Sequence, residues 1–292
     1  MKRFLLKLLP LTTMLITWGS AYAATCTIAV TSLTSIAFDP NVPLQLTGTV
    51  SGSCTPANGQ ELIVPPSIYI GINLGARTPR SMLSGTTNLI TYQINKSSGA
   101  GVWNEAAGTT VTTADGGLLF TLTAGVKNTA QPYSYTYYLN IPAQPTAPVG
   151  TYNDTTITAN IKQTSSTGSA LGSAVFSLTA TVAPNCRFST NPSALNLNYS
   201  SFAPTAVTGT SAFSLNCTSG TSYSQAVTPT TGTALGVSYS LALSATTGLT
   251  GTAVNQNYTI TGTAAPGQSG TCATSGTLCS ATPNPHSIAV TF

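Results

Sequence analysis

Six cysteines (26, 54, 186, 217, 272 and 279), one histidine and five carboxylates make up the residues of this chain best suited to chemistry. His286 adjoins the last expected strand, Ser287–Phe292, and no Asp or Glu follows Arg187. A Ser-His-Asp arrangement would therefore have to form between distant parts of the chain. Paired carboxylates for glycoside hydrolysis could come only from Asp39, Glu61, Glu105, Asp115 and Asp154. Three of these read as turn residues bonding their own backbone: Asp39-Pro40, Asp115-Gly116 and the run Gly150-Thr-Tyr-Asn-Asp154. A calcium site needs several clustered oxygen ligands, and a zinc site needs close Cys or His spacing. Neither pattern occurs, and Gly116-Gly117 reads as a hairpin turn rather than a phosphate cradle. The inventory predicts no catalytic residue, no metal and no cofactor, so a secreted carbohydrate-active enzyme is the disfavoured alternative.

The elements around these residues begin with a targeting segment. Lys2, Arg3 and Lys7 flank and enter an apolar run from Phe4 to Trp18, which leads to Ala21-Tyr-Ala23. Residues 1–23 read as a secretory signal peptide. Without them the basic residues are Arg77, Arg80, Lys96, Lys127, Lys162 and Arg187, six against five acids, so nucleic acid is not an expected partner. Charged residues are 5% of the chain, where about 25% is ordinary. Thr, Ser, Gly and Asn fill the surface role, while regularly spaced Val, Ile, Leu, Tyr and Phe argue for packed strands. The organising strand is Ala174–Val182, with Ala174, Phe176, Leu178, Ala180 and Val182 at alternate positions before Pro184 stops the ladder.

One plan occurs twice. Cys26, the strand region Ser35–Asp39, Thr47-Gly-Thr49 and Cys54 correspond to Cys186, Ala194–Tyr199, Thr208-Gly-Thr210 and Cys217. Pro142-Ala-Gln144 followed by Gly150-Thr corresponds to Pro266-Gly-Gln268 followed by Gly270-Thr. Six cysteines allow 15 connectivities. The repeat favours Cys26–Cys54 and Cys186–Cys217, leaving Cys272–Cys279 as a small loop. The reading is all-β, with a β-sandwich at 24–183 and a second at 184–292.

The second copy is expected to be incomplete. The first continues past Ile161 into Ala174–Val182, and the second has no counterpart after Ser287–Phe292. Such a sandwich exposes unpaired backbone along Ile288, Val290 and Phe292 and needs a strand from another chain. Cys26, close to the expected cleavage site, leaves no N-terminal arm to lend. A subunit that accepts a strand and cannot donate one belongs at one end of a fibre.

The ordered set Arg80-Ser-Met82, Leu89–Ile94, Trp103, Pro142-Ala-Gln144, Gly150–Asp154, Gln256–Gln268 and Ile288–Phe292 resembles the spore coat protein U-like family. Within it, the chain is similar to the two-domain tip adhesins of archaic chaperone–usher pili. The resemblance implies immunoglobulin-like domains, a periplasmic chaperone, an outer-membrane usher and donor-strand complementation by an adjacent pilin. It also implies surface attachment, biofilm formation and a place at the pilus tip on the cell surface. A shaft or minor pilin and a structural coat protein are the alternatives. The expected contact surface, abiotic or host, is apolar: Leu62, Ile63, Val64, Pro65 and Pro66 in one loop, Val102 and Trp103 in another. Leu62 and Val64 packing inward, and Trp103 in the core or at the sandwich rim, are the competing placements. The loops 55–66, 96–117 and 162–172 are expected to gather at the pole away from the fibre.

Overall fold

The computed structural model describes residues 24–56, 67–73, 80–99, 101–104, 116–126, 128–163, 168–271 and 284–292. The expected signal peptide, the Leu62–Pro66 loop and the Cys272–Cys279 loop lie outside these residues. Every regular element among the described residues is a strand. The first are β1 (Ala24–Val30), β2 (Leu33–Ala37), β3 (Leu44–Pro56), β4 (Ser67–Asn73), β5 (Ser81–Ser84) and β6 (Asn88–Thr91). Then come β7 (Gln93–Asn95), β8 (Leu118–Thr121), β9 (Gln131–Ile141), β10 (Gly150–Gln163) and β11 (Ala170–Val182). The remainder are β12 (Cys186–Thr190), β13 (Val207–Cys217), β14 (Ser222–Thr228), β15 (Thr231–Ala234) and β16 (Val237–Leu243). They end with β17 (Leu249–Thr250), β18 (Asn255–Ala264) and β19 (Ser287–Thr291).

Up to Val182 the strands form two facing sheets. One has the order β1-β3-β9-β7 and the other β2-β11-β10-β4-β8, the hairpin β5–β6 joining the latter through β10. These are the orders of an immunoglobulin-like sandwich, with β10 and β11 as its last two strands. The alternation along β11 buries Phe176, Leu178, Ala180 and Val182. Between the sheets lie Trp103, Tyr137, Tyr152 and Phe176, all fully buried, while Tyr69 is buried on the other face of β4 beside Gly71 and Gly117. The outer edge of β11 is itself covered by β2, which runs parallel to it.

The repeat is explicit in three devices. Cys26–Cys54 and Cys186–Cys217 join residues directly opposite each other in β1–β3 and β12–β13. The Gln144 side chain accepts from the Thr91 amide at 2.8 Å and donates to the Thr91 carbonyl at 3.0 Å. Gln268 does the same at Ser238, at 2.7 and 3.0 Å. Each amide side chain thus replaces one rung of a strand ladder. Gly48 and Gly209, the glycines of the two Thr-Gly-Thr runs, permit close approaches: an added Cβ would lie 2.3 Å from the Tyr137 ring and 2.2 Å from the Asn196 carbonyl.

Asp154 departs from the sequence expectation. It sits at a bulge inside β10 rather than in a turn, is almost fully buried, and accepts from Thr156 and from the Tyr92 hydroxyl at 2.8 Å. Asp154 continues the inward alternation of Tyr152, and the bulge that follows it brings the Thr156 amide and hydroxyl to its carboxylate.

Candidate functional site

The second set of strands repeats the first, with one position empty. β12-β13-β18-β16-β15 form one sheet, matching β1-β3-β9-β7 with β15 added. Opposite it, among the described residues, stands β17-β14-β19. β14 corresponds to β4 and β19 to β10. In the first sandwich β10 has a partner on each side, β4 and β11, and its pairing with β11 runs from Gly150↔Val182 to Lys162↔Ala170. In the second, β19 pairs with β14 from Ser224↔Thr291 to Thr228↔Ser287, and no described strand lies on its other side.

Packing follows the missing strand. Among the described residues, 27 buried side chains form the first core, with ten partly buried ones around it. The second has six, Phe213, Leu215, Cys217, Tyr223, Tyr258 and Ile260, and a larger share of partly buried ones, eight. Those eight include Leu241, Leu243, Leu249, Ile288 and Val290. Ile288 and Val290 alternate with exposed Ser287, Ala289 and Thr291, so their side chains point into this thin core while the backbone of β19 forms its rim. Phe292 falls just past β19 and is exposed. Of the three residues expected along the acceptor edge, two line the core and one lies beyond the strand.

Polar groups inside the second core are spare as well. Tyr223 and Tyr258 share a hydrogen bond between their hydroxyls, and burial together with that bond pushes the Tyr223 phenol well above its usual range. Gln225 of β14 is buried and donates to the Ala245 carbonyl at 2.8 Å. Its side-chain oxygen has no partner among the described residues. His286, just before β19, donates from Nδ1 to the Pro229 carbonyl at 2.8 Å, so Nε2 accepts from the Tyr239 hydroxyl at 2.8 Å. Both ring nitrogens are engaged in holding the approach to β19. No cluster of metal-ligating side chains occurs among the described residues.

At the other end of the first sandwich the ends of the flanking strands are described. β3 ends at Pro56 beside Ala24, and Gln163 at the end of β10 pairs with Ile68 at the start of β4. Connections 57–66 and 164–169 therefore leave from the same pole. Val182 pairs with Gly150 at the opposite pole, where the Val149 amide donates to the Ser219 carbonyl of the second repeat at 2.8 Å.

Trp103 requires a correction. It is fully buried, its indole N–H donates to the Ile70 carbonyl at 3.0 Å, and its ring meets Tyr135 edge-on. A short return from Asn95 to Val102 carries it back over Ile94, which places it in the core and not on a contact loop. Val102 remains partly exposed.

A family model, the Spore Coat Protein U domain, matches residues 11–159. No curated protein sequence matches the chain significantly. Among solved structures, the chain is similar to the CsuC–CsuE chaperone–tip adhesion subunit pre-assembly complex from archaic chaperone–usher Csu pili of Acinetobacter baumannii. That similarity has 13% identity and a TM-score of 0.45, over 90% of this chain and 100% of that one. AggA, the major subunit of aggregative adherence fimbriae type I from Escherichia coli, matches at 12% identity and a TM-score of 0.32, over 55% and 96%. A chaperone–tip adhesin complex of CFA/I fimbriae biogenesis matches at 11% and 0.32, over 90% and 97%.

Proposed function

We propose, for a chain that belongs to the Spore Coat Protein U domain family, the role of a tip adhesin in a chaperone–usher pilus. The observation that carries this reading is the open side of β19 beside a half-buried core. A strand laid along β19 would take its free amides and carbonyls and cover Ile288 and Val290, as β11 does for β10. Before assembly a periplasmic chaperone supplies that strand, and after export through an outer-membrane usher an adjacent pilin does. The first sandwich, which fills the same position with its own β11, needs no such help.

The terminal position rests on β1. Ala24 to Val30 are paired residue by residue with β3, and Cys26 is bonded to Cys54. These residues are engaged in their own sandwich and are not available to complete a neighbour, as a shaft subunit's donor segment must be. Residues 24–183 then form the adhesive domain and 184–292 the pilin domain. The contact surface is the pole from which connections 57–66 and 164–169 leave, with Leu62, Ile63, Val64, Pro65 and Pro66 as its apolar tip. Contact with an abiotic or host surface through such a tip gains about 25 cal/mol per Å² of apolar area buried.

The deciding experiment expresses the chain alone, with its chaperone, and with a pilin donor strand fused through a flexible linker to Phe292. Soluble protein is expected in the second and third cases only. A chain that is monomeric and fully protease-resistant when expressed alone refutes the reading. For the tip, Leu62, Ile63 and Val64 are changed together to Ser, with piliation confirmed on sheared fibres. Attachment to polystyrene is expected to fall at least about tenfold, since three apolar side chains buried against a surface would contribute more than about 1.4 kcal/mol. Wild-type attachment by normally piliated cells excludes this loop.

A further inference from the structure

A cleft of about 940 Å³ opens on the first sandwich, away from both β19 and the pole of the apolar loops. It lies at the start of β3 and the end of β9, beside the short edge strand β7. Its floor is one cross-strand row. Gln45 of β3 is opposite Asn140 of β9, which is opposite Gln93 of β7. Gln45 donates to the Asn140 side-chain oxygen at 2.6 Å and to the Ser98 carbonyl at 2.8 Å. Gln93 is exposed, and its amide has no partner among the described residues.

The wall of the cleft holds Arg80. Its guanidinium donates to the Trp103 carbonyl at 3.4 Å, a long bond to a residue the core holds rigidly. No described carboxylate pairs with it. Asp154 is taken up by Tyr92 and Thr156, and Asp39 by Asn41. Burial lowers the Arg80 pKa from its ordinary value, the mark of a partly desolvated cation without a counter-charge. In a chain with so few charged residues, a half-buried guanidinium facing a row of amides is a costly arrangement that a ligand would repay.

We propose that this cleft binds a sugar bearing a carboxylate, as found in acidic polysaccharides and sialylated glycans. The planar fork of Arg80 matches a carboxylate. Each sugar hydroxyl needs both a donor and an acceptor, and the amides of Gln93 and Asn140 offer both. Pro43, Leu44 and Val102, also on the cleft and at least partly exposed, give the apolar surface that a ring's C–H face requires. This site is independent of the pilus role, because none of its residues takes part in strand exchange or in the apolar tip.

Saturation-transfer NMR on the full chain, in the soluble complex in which it is recovered, tests the proposal. The probes are glucuronate, N-acetylneuraminate, methyl glucoside and acetate. Transfer is expected to glucuronate or to N-acetylneuraminate, and which of the two responds identifies the source. Methyl glucoside, lacking the carboxylate, is expected to bind at least about tenfold more weakly, as is either acid with Arg80→Gln. Gln93→Ala, at an exposed position that the fold does not need, is expected to weaken binding about threefold to tenfold. Absence of transfer to both acids overturns the proposal, as does equal binding of methyl glucoside. Unchanged binding by Gln93→Ala also overturns it, and that variant decides the matter should Arg80→Gln fail to fold.

Discussion

Removing the two disulfides one at a time applies nearly the same perturbation to two unequal sandwiches. Cys26–Cys54 spans 28 residues and Cys186–Cys217 spans 31. The loop-closure relation assigns each about 3.6 kcal/mol of stabilisation. Cys54 and Cys217 are both fully buried, so the packing lost on changing each pair to Ala is alike. The outcomes should differ. The first sandwich has a filled core and both sheets complete, and a body of its size shifts by about 2–4 °C per kcal/mol. Its unfolding transition is expected to fall by about 7–14 °C in Cys26→Ala/Cys54→Ala and to remain cooperative. The second sandwich, smaller and with a core cluster of six buried side chains among the described residues, starts near the lower end of the usual range, about 5 kcal/mol. Losing about 3.6 kcal/mol leaves little, and Cys186→Ala/Cys217→Ala should shift its transition by about 15–30 °C or abolish it. Calorimetry of the full chain separates the two transitions, and limited proteolysis assigns them. A donor strand fused after Phe292 should restore most of the second. The reasoning fails if Cys186→Ala/Cys217→Ala keeps its transition within about 5 °C of the parent, which would mean that the open edge leaves no deficit.

Two further outcomes follow from local chemistry. Gln144→Ala leaves the amide and carbonyl of Thr91 without their side-chain partner and is expected to cost about 2 kcal/mol in urea unfolding, where a loss below about 0.5 kcal/mol would contradict the ladder role. Burial raises the pKa of Tyr133 and Tyr137 above the ordinary phenol value of about 10, and that of Tyr223 with help from Tyr258. Their contribution is fully present below pH 10. Above it the unfolded chain releases phenolic protons that the folded chain keeps, so stability falls as pH rises. Urea midpoints at pH 8 and pH 11 check this, and a midpoint that does not fall at the higher pH would contradict it.

Much of this fold is legible in the sequence because period two and turn residues report directly on sheets. Phe176, Leu178, Ala180 and Val182 announce β11, and the doubled Cys, Thr-Gly-Thr and Pro-x-Gln runs announce the repeat that pairs Cys26 with Cys54. Trp103 was harder. As part of a long connection it reads as a loop residue, yet Lys96–Gly101 is a polar, Gly-rich turn, and a chain returning from it in register with Ile94 must point Trp103 inward. Asp154 was misread because it sits in a run, Gly-Thr-Tyr-Asn-Asp, whose residue types suit a turn, although it keeps the alternation of Tyr152. The Arg80 cleft could not be read at all. Its amides come from residues 45, 93 and 140, and only the register of a three-residue strand brings Gln93 into their row.

The open edge of β19 also explains the distribution of charge. Sheet edges are ordinarily protected against pairing by Lys, Pro, bulges or a covering segment. β11 is covered by β2, and Pro40, three residues beyond the last β2–β11 pair, is buried at the end of that cover. Among the described residues β19 has none of these. Its outward side chains are Ser287, Ala289 and Thr291, small and neutral, and no Lys, Arg, Asp or Glu occurs anywhere after Arg187. A single Lys at Ala289 would blunt the edge at almost no cost to the core, since Ala289 points to solvent. An edge that is flat, uncharged and flanked by inward Ile288 and Val290 has the character of a surface meant to be paired, and it is the reason the second core can remain thin.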